Sequence, residues 1–426
     1  MQNRYYQITV AFLLLLLAVL FFFGYTPTND GLGYMEFAEY CLSEHQPYPT
    51  TTIYQEAPFV WNIGIINLTE LSLWLTHSIT PVLIILCLMK SATALFVSLT
   101  AEKLFSRQVA ILTLVFFVLY PNNWGQSTMI SSEIPSTCLA TLAVYLIVNR
   151  PTLRVFFWSG FLLALSNWFR PTAAIFIISI VCYLFLFYRK KTLTHTISLL
   201  LGFILFISIV GTSCYQRTDH FVYQARSYWF SMVDECYDKA EVAPHWGQPV
   251  WPEGTPRYIE NHEQMDCFQL EQIWKQRSLD YLKDHKLAYL KKIPGRLYYM
   301  YQSDYDYMPA FLSNKSAAEN NYITLPFRHL FSQLSSLNFA QWLSLLSMVC
   351  YIILLLLACI NSIMLLRGRE YRPIFLPLFI VVAGSLALVF VMHGETRFKD
   401  PLMPYIFILA ASLKTKPANE RENHLD

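Results

Sequence analysis

The chemistry this chain could do is concentrated where ionisable side chains interrupt long apolar runs. The densest cluster is His393-Gly-Glu395-Thr-Arg397-Phe-Lys399-Asp400-Pro-Leu-Met-Pro. Its basic members suit a phosphate, because the arginine fork binds two phosphate oxygens at once; a solvated turn is the plain alternative. Arg170-Pro171 follows Asn-Trp168-Phe169, rings that would hold a guanidinium at headgroup level. Asp30 stands in Thr-Asn-Asp-Gly-Leu-Gly-Tyr34-Met-Glu36. It can be a proton acceptor or merely a helix N-cap, with Glu36 and Glu39 favouring the dipole of the same helix. Glu133 opens an apolar run in Ser-Ser-Glu-Ile-Pro, either as a site acid or as an N-terminal acid ahead of a first-turn proline. Lys90 lies nine residues into its apolar run, roughly 14 Å deep at about 1.5 Å per residue. From there it must pair with an anion or face a cavity. No zinc-type Cys/His spacing and no phosphate-cradling glycine loop is present.

The elements that must position these residues are membrane helices. Of 426 residues, 55% are hydrophobic and 14% charged, against about 25% charged in soluble domains. That balance excludes an ordinary cytosolic enzyme and a disordered chain. The net charge of +2 excludes the basic excess of a nucleic-acid binder. Apolar blocks at residues 8–25, 81–104, 108–121, 133–149, 155–169, 171–188, 195–214, 341–366, 374–391 and 401–413 predict ten spans. The first reads as an uncleaved anchor. Residues 59–79 carry Asn62, Asn67, Glu70 and His77 and read as an interfacial helix. With that segment out of the membrane, Lys103/Arg107, Arg150/Arg154, Arg189-Lys190-Lys191, Arg367/Arg369/Arg372 and Lys414/Lys416 all fall on the cytoplasmic side, as the positive-inside rule requires.

The predicted organisation is a membrane module at 1–214, with a first outer loop at 26–80, an extracytoplasmic lobe at 215–340, and a three-span module at 341–426. The lobe holds 28 of the chain's 60 charged residues, so it reads as a folded lobe, not a linker. Its stretch 266–292 has apolar spacing for one or two amphipathic helices. Cys236 and Cys267 lie there, and whether they pair is open. No internal repeat is visible, which counts against an inverted-repeat transporter.

In order and sidedness these residues resemble the integral-membrane glycosyltransferases of the GT-C fold, near the protein O-mannosyltransferase and aminoarabinose-transferase group. Asp30-Gly31-Leu32-Gly33-Tyr34 with Ala38 is similar to the group's Asp-Glu…Tyr motif after the first span, with Gly31 in place of the second acid. Ala57-Pro58-Phe59 stands where the group has Pro-Pro-aromatic. The stretch from Gly160 to Arg170-Pro171 is similar to its helix ending in Arg-Pro, and Glu395-Thr396-Arg397-Phe398 with Pro401 and Pro404 to its Glu-x-Arg-Tyr…Pro…Pro signature.

The resemblance implies an all-α, polytopic GT-C-like bundle with two interfacial helices in the first outer loop. It implies an inverting transfer of sugar from a polyprenyl-phosphate carrier to a lipid, glycan or protein acceptor. Asp30 would be the catalytic base; Arg397 and Arg170, with Lys399, Lys90 and His393 behind them, would bind phosphate; Glu133, Glu395, Tyr34 and Glu36 would complete the substrate site. No cofactor is required, although Asp30, Glu36 and Glu133 could converge on a divalent metal. The expected partners are the lipid-linked donor, an unidentified acceptor and membrane lipid, without nucleic acid. The expected setting is a bacterial inner membrane with the site facing the periplasm. The lobe's Tyr298, Tyr299, Tyr301, Tyr305 and Tyr307 beside Asp304 and Asp306 suit carbohydrate, or equally an interfacial aromatic belt. Rival readings are a transporter or flippase for a lipid-linked substrate, a glycan polymerase or ligase of another membrane fold, and a scaffold.

Overall fold

The computed structural model describes residues 3–47, 62–236, 256–304, 307–312, 334–391 and 394–412. His393, Ala57-Pro58-Phe59, Tyr305, Asp306 and Lys414/Lys416 lie outside them. Among the described residues every regular element is helical. In chain order these are α1 Asn3–Phe23, α2 Asn29–Ser43, α3 Ile63–Thr76, α4 Thr80–Leu104, α5 Arg107–Leu119, α6 Asn122–Gly125, α7 Glu133–Asn149, α8 Leu153–Phe169, α9 Ala173–Phe187 and α10 Thr192–Thr218. They continue with α11 Ser227–Cys236, α12 Cys267–Lys291, α13 Ile293–Tyr301, α14 Tyr307–Leu312, α15 Phe339–Arg367, α16 Tyr371–Val391 and α17 Met403–Ala411.

Each of the ten predicted apolar blocks is helical. Among the described residues five helices are long and apolar enough to cross a membrane: those in α1, α4, α10, α15 and α16. A sixth crossing arises if α6 and α7, bent by 119° at their junction, count as one broken span. The helices of the other four blocks have 13, 17, 15 and 9 residues. At about 1.5 Å per residue the longest covers ~26 Å, short of a hydrocarbon core of about 30 Å. Among the described residues, length and composition thus single out five or six of the ten predicted spans as full crossings.

The core is a bundle around α17, which is buried on every side. A helix apolar all round belongs at the centre of a bundle. Asn361 of α15 donates to the carbonyls of Leu409 and Ala410 (3.3 and 2.8 Å), closing the orphan acceptors at the α17 C-terminus. α8 and α10 approach most closely. A Cβ on Gly160 would strike the Leu199 carbonyl, and one on Gly202 the Phe157 carbonyl. The glycines let two backbones touch where lipid supplies no hydrophobic drive. The two helices expected in the first outer loop are α2 and α3, packed on each other.

The amphipathic stretch at 266–292 forms the single helix α12. Asp266 and Gln269 close its capping box, and a kink falls at His285. α11 and α12 pack together, and Trp274 is fully buried in one apolar cluster with them and the C-terminal ends of α8 and α10. Cys236 and Cys267 fall in different apolar clusters and are not joined by a disulfide.

Replacing Gly160 by valine should force α8 from α10 and destabilise the bundle by about 1–3 kcal/mol. Thermal unfolding in detergent would show the loss as a lowered midpoint; an unchanged midpoint would mean the close approach is dispensable.

Candidate active site

The site grows from a break in the bundle. α5 stops at Leu119, Pro121 follows, and the chain runs through α6, a short 3-10 turn at Gln126–Thr128 and an extended stretch before α7 starts at Glu133. Nearly all of this segment is buried, so its backbone groups must find partners within the protein. Asn123 and Trp124 donate to the carbonyls of Phe117 and Val118 (2.8 Å each), closing the end of α5. The Thr26 amide donates to the Thr128 carbonyl at 2.9 Å and ties the segment to the end of α1.

Glu133 is the first residue of α7, and its carboxylate does more than favour the helix dipole. It accepts from Arg170 Nη1 at 2.5 Å, from Ser131 Oγ at 2.9 Å and from Ser132 Oγ at 3.3 Å. Arg170 is brought there by the end of α8. Tyr34 of α2 donates to Ser132 Oγ (3.3 Å), and Asn62 donates to both Tyr34 Oη (2.9 Å) and Ser132 Oγ (3.1 Å). Asp30 is not the cap of α2. Thr28 is, accepting from the Gly31 amide at 3.0 Å. That frees the Asp30 carboxylate to pair with Arg397 Nη1. Arg397 also donates Nε to Glu395 at 2.9 Å. The Phe398 ring neighbours both arginines, 5.4 Å from the Arg170 guanidinium and 6.0 Å from that of Arg397.

The two ion pairs differ in access. The side chains of Arg170 and Glu133 are 11% and 6% exposed; those of Arg397 and Asp30 are 33% and 26% exposed. The first pair is closed and the second opens to the surface. Burial pushes the Asp30 carboxyl above the usual range, the Arg397 guanidinium pulls it down, and Glu133 and Glu395 push it up again. Burial works against the charge of Arg397, but Asp30, Glu395 and Glu133 together hold it firmly protonated.

A second polar chain adjoins the first. Tyr307 Oη donates to Asp400 Oδ2 (2.9 Å), Gln126 Nε2 donates to the same oxygen (2.7 Å), and Lys90 Nζ donates to Gln126 Oε1 (2.5 Å). Lys90, Gln126, Asp400 and Glu133 line a small cavity of about 20 Å³ with Thr93, Asn123 and Thr137. Burial and the nearby Asp304 charge push the Asp400 carboxyl up to about 7, against the pull of Lys90.

Of the residues singled out by sequence, Asp30, Tyr34, Glu133, Arg170, Glu395 and Arg397 form one network, and Lys90 lines the cavity that shares Glu133 with it. Lys399 is elsewhere. It is fully buried, and its three N–H groups go to Asp304 (2.8 Å), the Ser303 carbonyl (2.7 Å) and the Thr396 carbonyl (2.9 Å). Glu36 is exposed on another face of α2, so Asp30, Glu36 and Glu133 do not converge. Among the described residues no three His, Cys, Asp or Glu side chains stand close enough to hold a metal ion. Of those three acids, Asp30 and Glu133 each face a guanidinium, a poor fit for a cation. Sequence reading passed over Gln126; it set Asp400 in the cluster before the last apolar block and Tyr307 with Asp304 in the lobe, without joining them to Lys90. The polar run Asn122-Asn123-Trp124-Gly125-Gln126-Ser127-Thr128 between two apolar blocks was the available signal.

The chain is thus an all-helical, multi-pass membrane protein with a buried arginine–carboxylate site at one end of its bundle. Residues 65–214 match the family model of the dolichyl-phosphate-mannose-protein mannosyltransferases, about a third of the chain. That match runs from within α3 to within α10 and includes the stretch from Gly160 to Arg170-Pro171. Among solved structures, the apo form of the Archaeoglobus fulgidus oligosaccharyltransferase aligns with 95% of this chain at 11% identity and a TM-score of 0.46. This chain spans about half the length of that protein, 50%. No curated protein matches the chain.

Arg170→Met leaves Glu133 buried and unpaired, and should cost about 3–5 kcal/mol; the double change Arg170→Met/Glu133→Leu should recover most of it. Unfolding midpoints in detergent measure both, and a double variant no more stable than the single one would show that the pair is not the source of the loss.

Proposed function

We propose that the protein is an inverting glycosyltransferase that takes a sugar from a polyprenyl-phosphate carrier and gives it to a lipid, glycan or protein acceptor. The observation that carries this reading is the pairing of Asp30 with Arg397 beside the Phe398 ring that Arg170 also approaches. A proton acceptor and two phosphate-binding forks stand within one network. In the reaction the acceptor hydroxyl attacks the anomeric carbon from the face opposite the phosphate. Asp30, its basicity raised by burial, takes the hydroxyl proton as the new bond forms. The bond from the anomeric carbon to the phosphate oxygen breaks, and the electron pair leaves with the phosphate. Arg397 and Arg170 stabilise the charge that develops there, since donors placed in advance act most strongly in a site that excludes water. If the acceptor is already an ionised phosphate, Asp30 orients it instead.

Among the described residues Arg397 Nη2 carries no hydrogen bond, which suits it to meet a phosphate oxygen. Lys90 adds a cation to the same pole of the site, and Gln126 and Asp400 position it. Glu133 holds Arg170; Glu395 holds Arg397. Tyr34 shares in this bracing through Ser132. Lys399 acts as an anchor, fastening the loop before α17 to Asp304 of the lobe. The reading requires no cofactor. Among the described residues the basic turns at 103–107, 150–154, 189–191 and 367–372 lie at the opposite ends of their helices from the site, which supports an extracytoplasmic site, and we place the protein in a bacterial inner membrane facing the periplasm. The lobe at 215–340 would shape the acceptor side, since its Tyr307 reaches Asp400.

The test is sugar transfer by purified protein in vesicles supplied with a panel of radiolabelled polyprenyl-phosphate sugars. Release of free polyprenyl phosphate should fall on the order of 10²-fold or more in Asp30→Asn with folding intact. Turnover that survives the change removes Asp30 from the chemistry. Movement of the intact lipid across the bilayer without release replaces the transferase with a flippase.

Asp400 generates a pH dependence. It is charged above pH of about 7 and protonated below it, and protonation weakens its hold on Gln126 and so on Lys90. The wild-type KM for the donor should therefore rise as pH falls through 7, with a smaller effect on kcat. Asp400→Asn should show the raised KM at every pH in that window. A wild-type KM that stays flat across it would sever Asp400 from donor binding.

A further inference from the structure

The helical stretch after the kink at His285 has a face that no other described residue covers. Lys292, between α12 and α13, has helical dihedrals (φ −78°, ψ −21°), so the stripe of one helix continues into the next. Tyr289, Arg296 and Met300 form the buried side. Leu287, Leu290, Pro294 and Tyr298 recur at intervals of three and four residues on the other side, which is the spacing of one helical face. Leu287 and Tyr298 are each 66% exposed, Leu290 47% and the neighbouring Tyr299 58%. A Cβ added at Gly295 would meet nothing within 4 Å.

The height of this face relative to the bilayer follows from its buried side. Tyr289 Oη donates to the Phe390 carbonyl, and Arg296 Nη1 donates to the Val389 carbonyl at 3.1 Å. Both acceptors are in the last turn of α16, a crossing helix of 21 residues. That length is about 31 Å at ~1.5 Å per residue and matches a hydrocarbon core of about 30 Å. The end of α16 therefore marks a membrane surface, and residues 286–301 lie across it. Their charge is one-sided. Lys286, Lys291, Lys292 and Arg296 fall in that stretch, with no acidic residue. Lys286 and Lys291 are exposed beside the apolar stripe. Lys292 and Arg296 are turned inward, toward the Glu235 carbonyl (3.2 Å) and the Glu235 carboxylate (2.9 Å) respectively.

We propose that residues 286–301 form a membrane-seating surface, with Leu287, Leu290 and Tyr298 at the headgroup–acyl boundary and Lys286 and Lys291 on anionic phospholipid headgroups. An amphipathic helix with a basic polar edge and apolar, aromatic members binds such a surface by burial and by charge together. The inference does not depend on the transfer reaction. Its consequence is mechanical. The same stretch packs against the loop that carries Glu395 and Arg397, since a Cβ at Gly394 (φ +81°) would strike the Arg296 backbone. Seating the stretch on lipid therefore fixes the height of that loop above the bilayer.

The test uses the full chain in vesicles of phosphatidylcholine, with or without phosphatidylglycerol, and nitroxide labels at Leu287→Cys, Tyr298→Cys and, as a control before the kink, Gln276→Cys, all in a Cys359→Ser background. Collisions with oxygen report lipid, and collisions with a water-soluble nickel chelate report solvent. Labels at 287 and 298 should favour oxygen several-fold over the label at 276. Phosphatidylglycerol should strengthen that preference, and Lys286→Glu with Lys291→Glu should abolish the strengthening. Labels at 287 and 298 as open to the chelate as the label at 276 would overturn the seating. A lipid preference indifferent to phosphatidylglycerol and to charge reversal would overturn the anionic headgroup as partner. Unfolding midpoints equal to wild type certify that each labelled variant is folded.

Discussion

Everything in the site depends on one interruption of helical backbone inside an apolar bundle. Between α5 and α7 the chain abandons helix for a turn and an extended stretch, at a place where no water can satisfy the freed amides and carbonyls. Such a break is tolerated in a membrane protein only where protein covers it or a polar cavity adjoins it. Here both hold. The residues that satisfy the break are polar because they must be, and the same residues wire it to its surroundings. Asn122 reaches Asp304 at 3.2 Å, Gln126 reaches Asp400 and Lys90, and Ser132 reaches Tyr34, Asn62 and Arg170. A structural necessity thus gathers the side chains that a phosphate-handling site needs.

The charges are then arranged by the cost of burying them. A buried ion is tolerable when it is paired and its remaining hydrogen bonds are met. Lys399 is the limiting case, with all three donors engaged and its ammonium 5.0 Å from the Tyr351 ring centre. Its partner Asp304 also accepts from Tyr120 and Asn122. Nothing in that arrangement is left to bind a substrate, and it couples the lobe to the loop before α17. Arg170 is nearly as closed. Arg397 is not. Access therefore increases from Lys399 through Arg170 to Arg397, along one short loop and the helix end beside it. Chemistry belongs at the open end, and the closed end supplies rigidity.

Much of this was legible in the sequence, for identifiable reasons. Long apolar blocks announce helices without ambiguity, and the order of Asp30, Arg170 and Glu395-Thr-Arg397 along the chain marked the residues that the fold brings together. The count of crossings was not legible. A block such as 401–413 is apolar because α17 is the buried centre of the bundle, and composition cannot tell a helix surrounded by protein from one surrounded by lipid. Lys399 was misjudged for a related reason. Its neighbours in sequence are site residues, but its partner Asp304 lies 95 positions away, a separation that no local pattern reveals. Asp30 shows the opposite case. Locally it reads as a cap, and only because Thr28 takes that duty is its carboxylate available to Arg397.

The Phe398 ring explains how two guanidiniums can share so small a volume. Like charges this close repel, and the repulsion is strong where water is scarce. Arg170 faces Glu133, and Arg397 faces both Asp30 and Glu395, so each cation is compensated by acid within the site. The Phe398 ring, 5.4 Å from one guanidinium and 6.0 Å from the other, adds a cation–π contact to each. Lys90, on the far side of Glu133, has only the amide of Gln126 as a hydrogen-bond partner among the described residues, and the matching carboxylate, Asp400, stands one residue further out. The site is thus a balanced lattice of charge with one weakly satisfied cation at its inner edge and one partly open arginine at its outer edge. A ligand that is itself anionic and long enough to meet both would add its charge without breaking any pair.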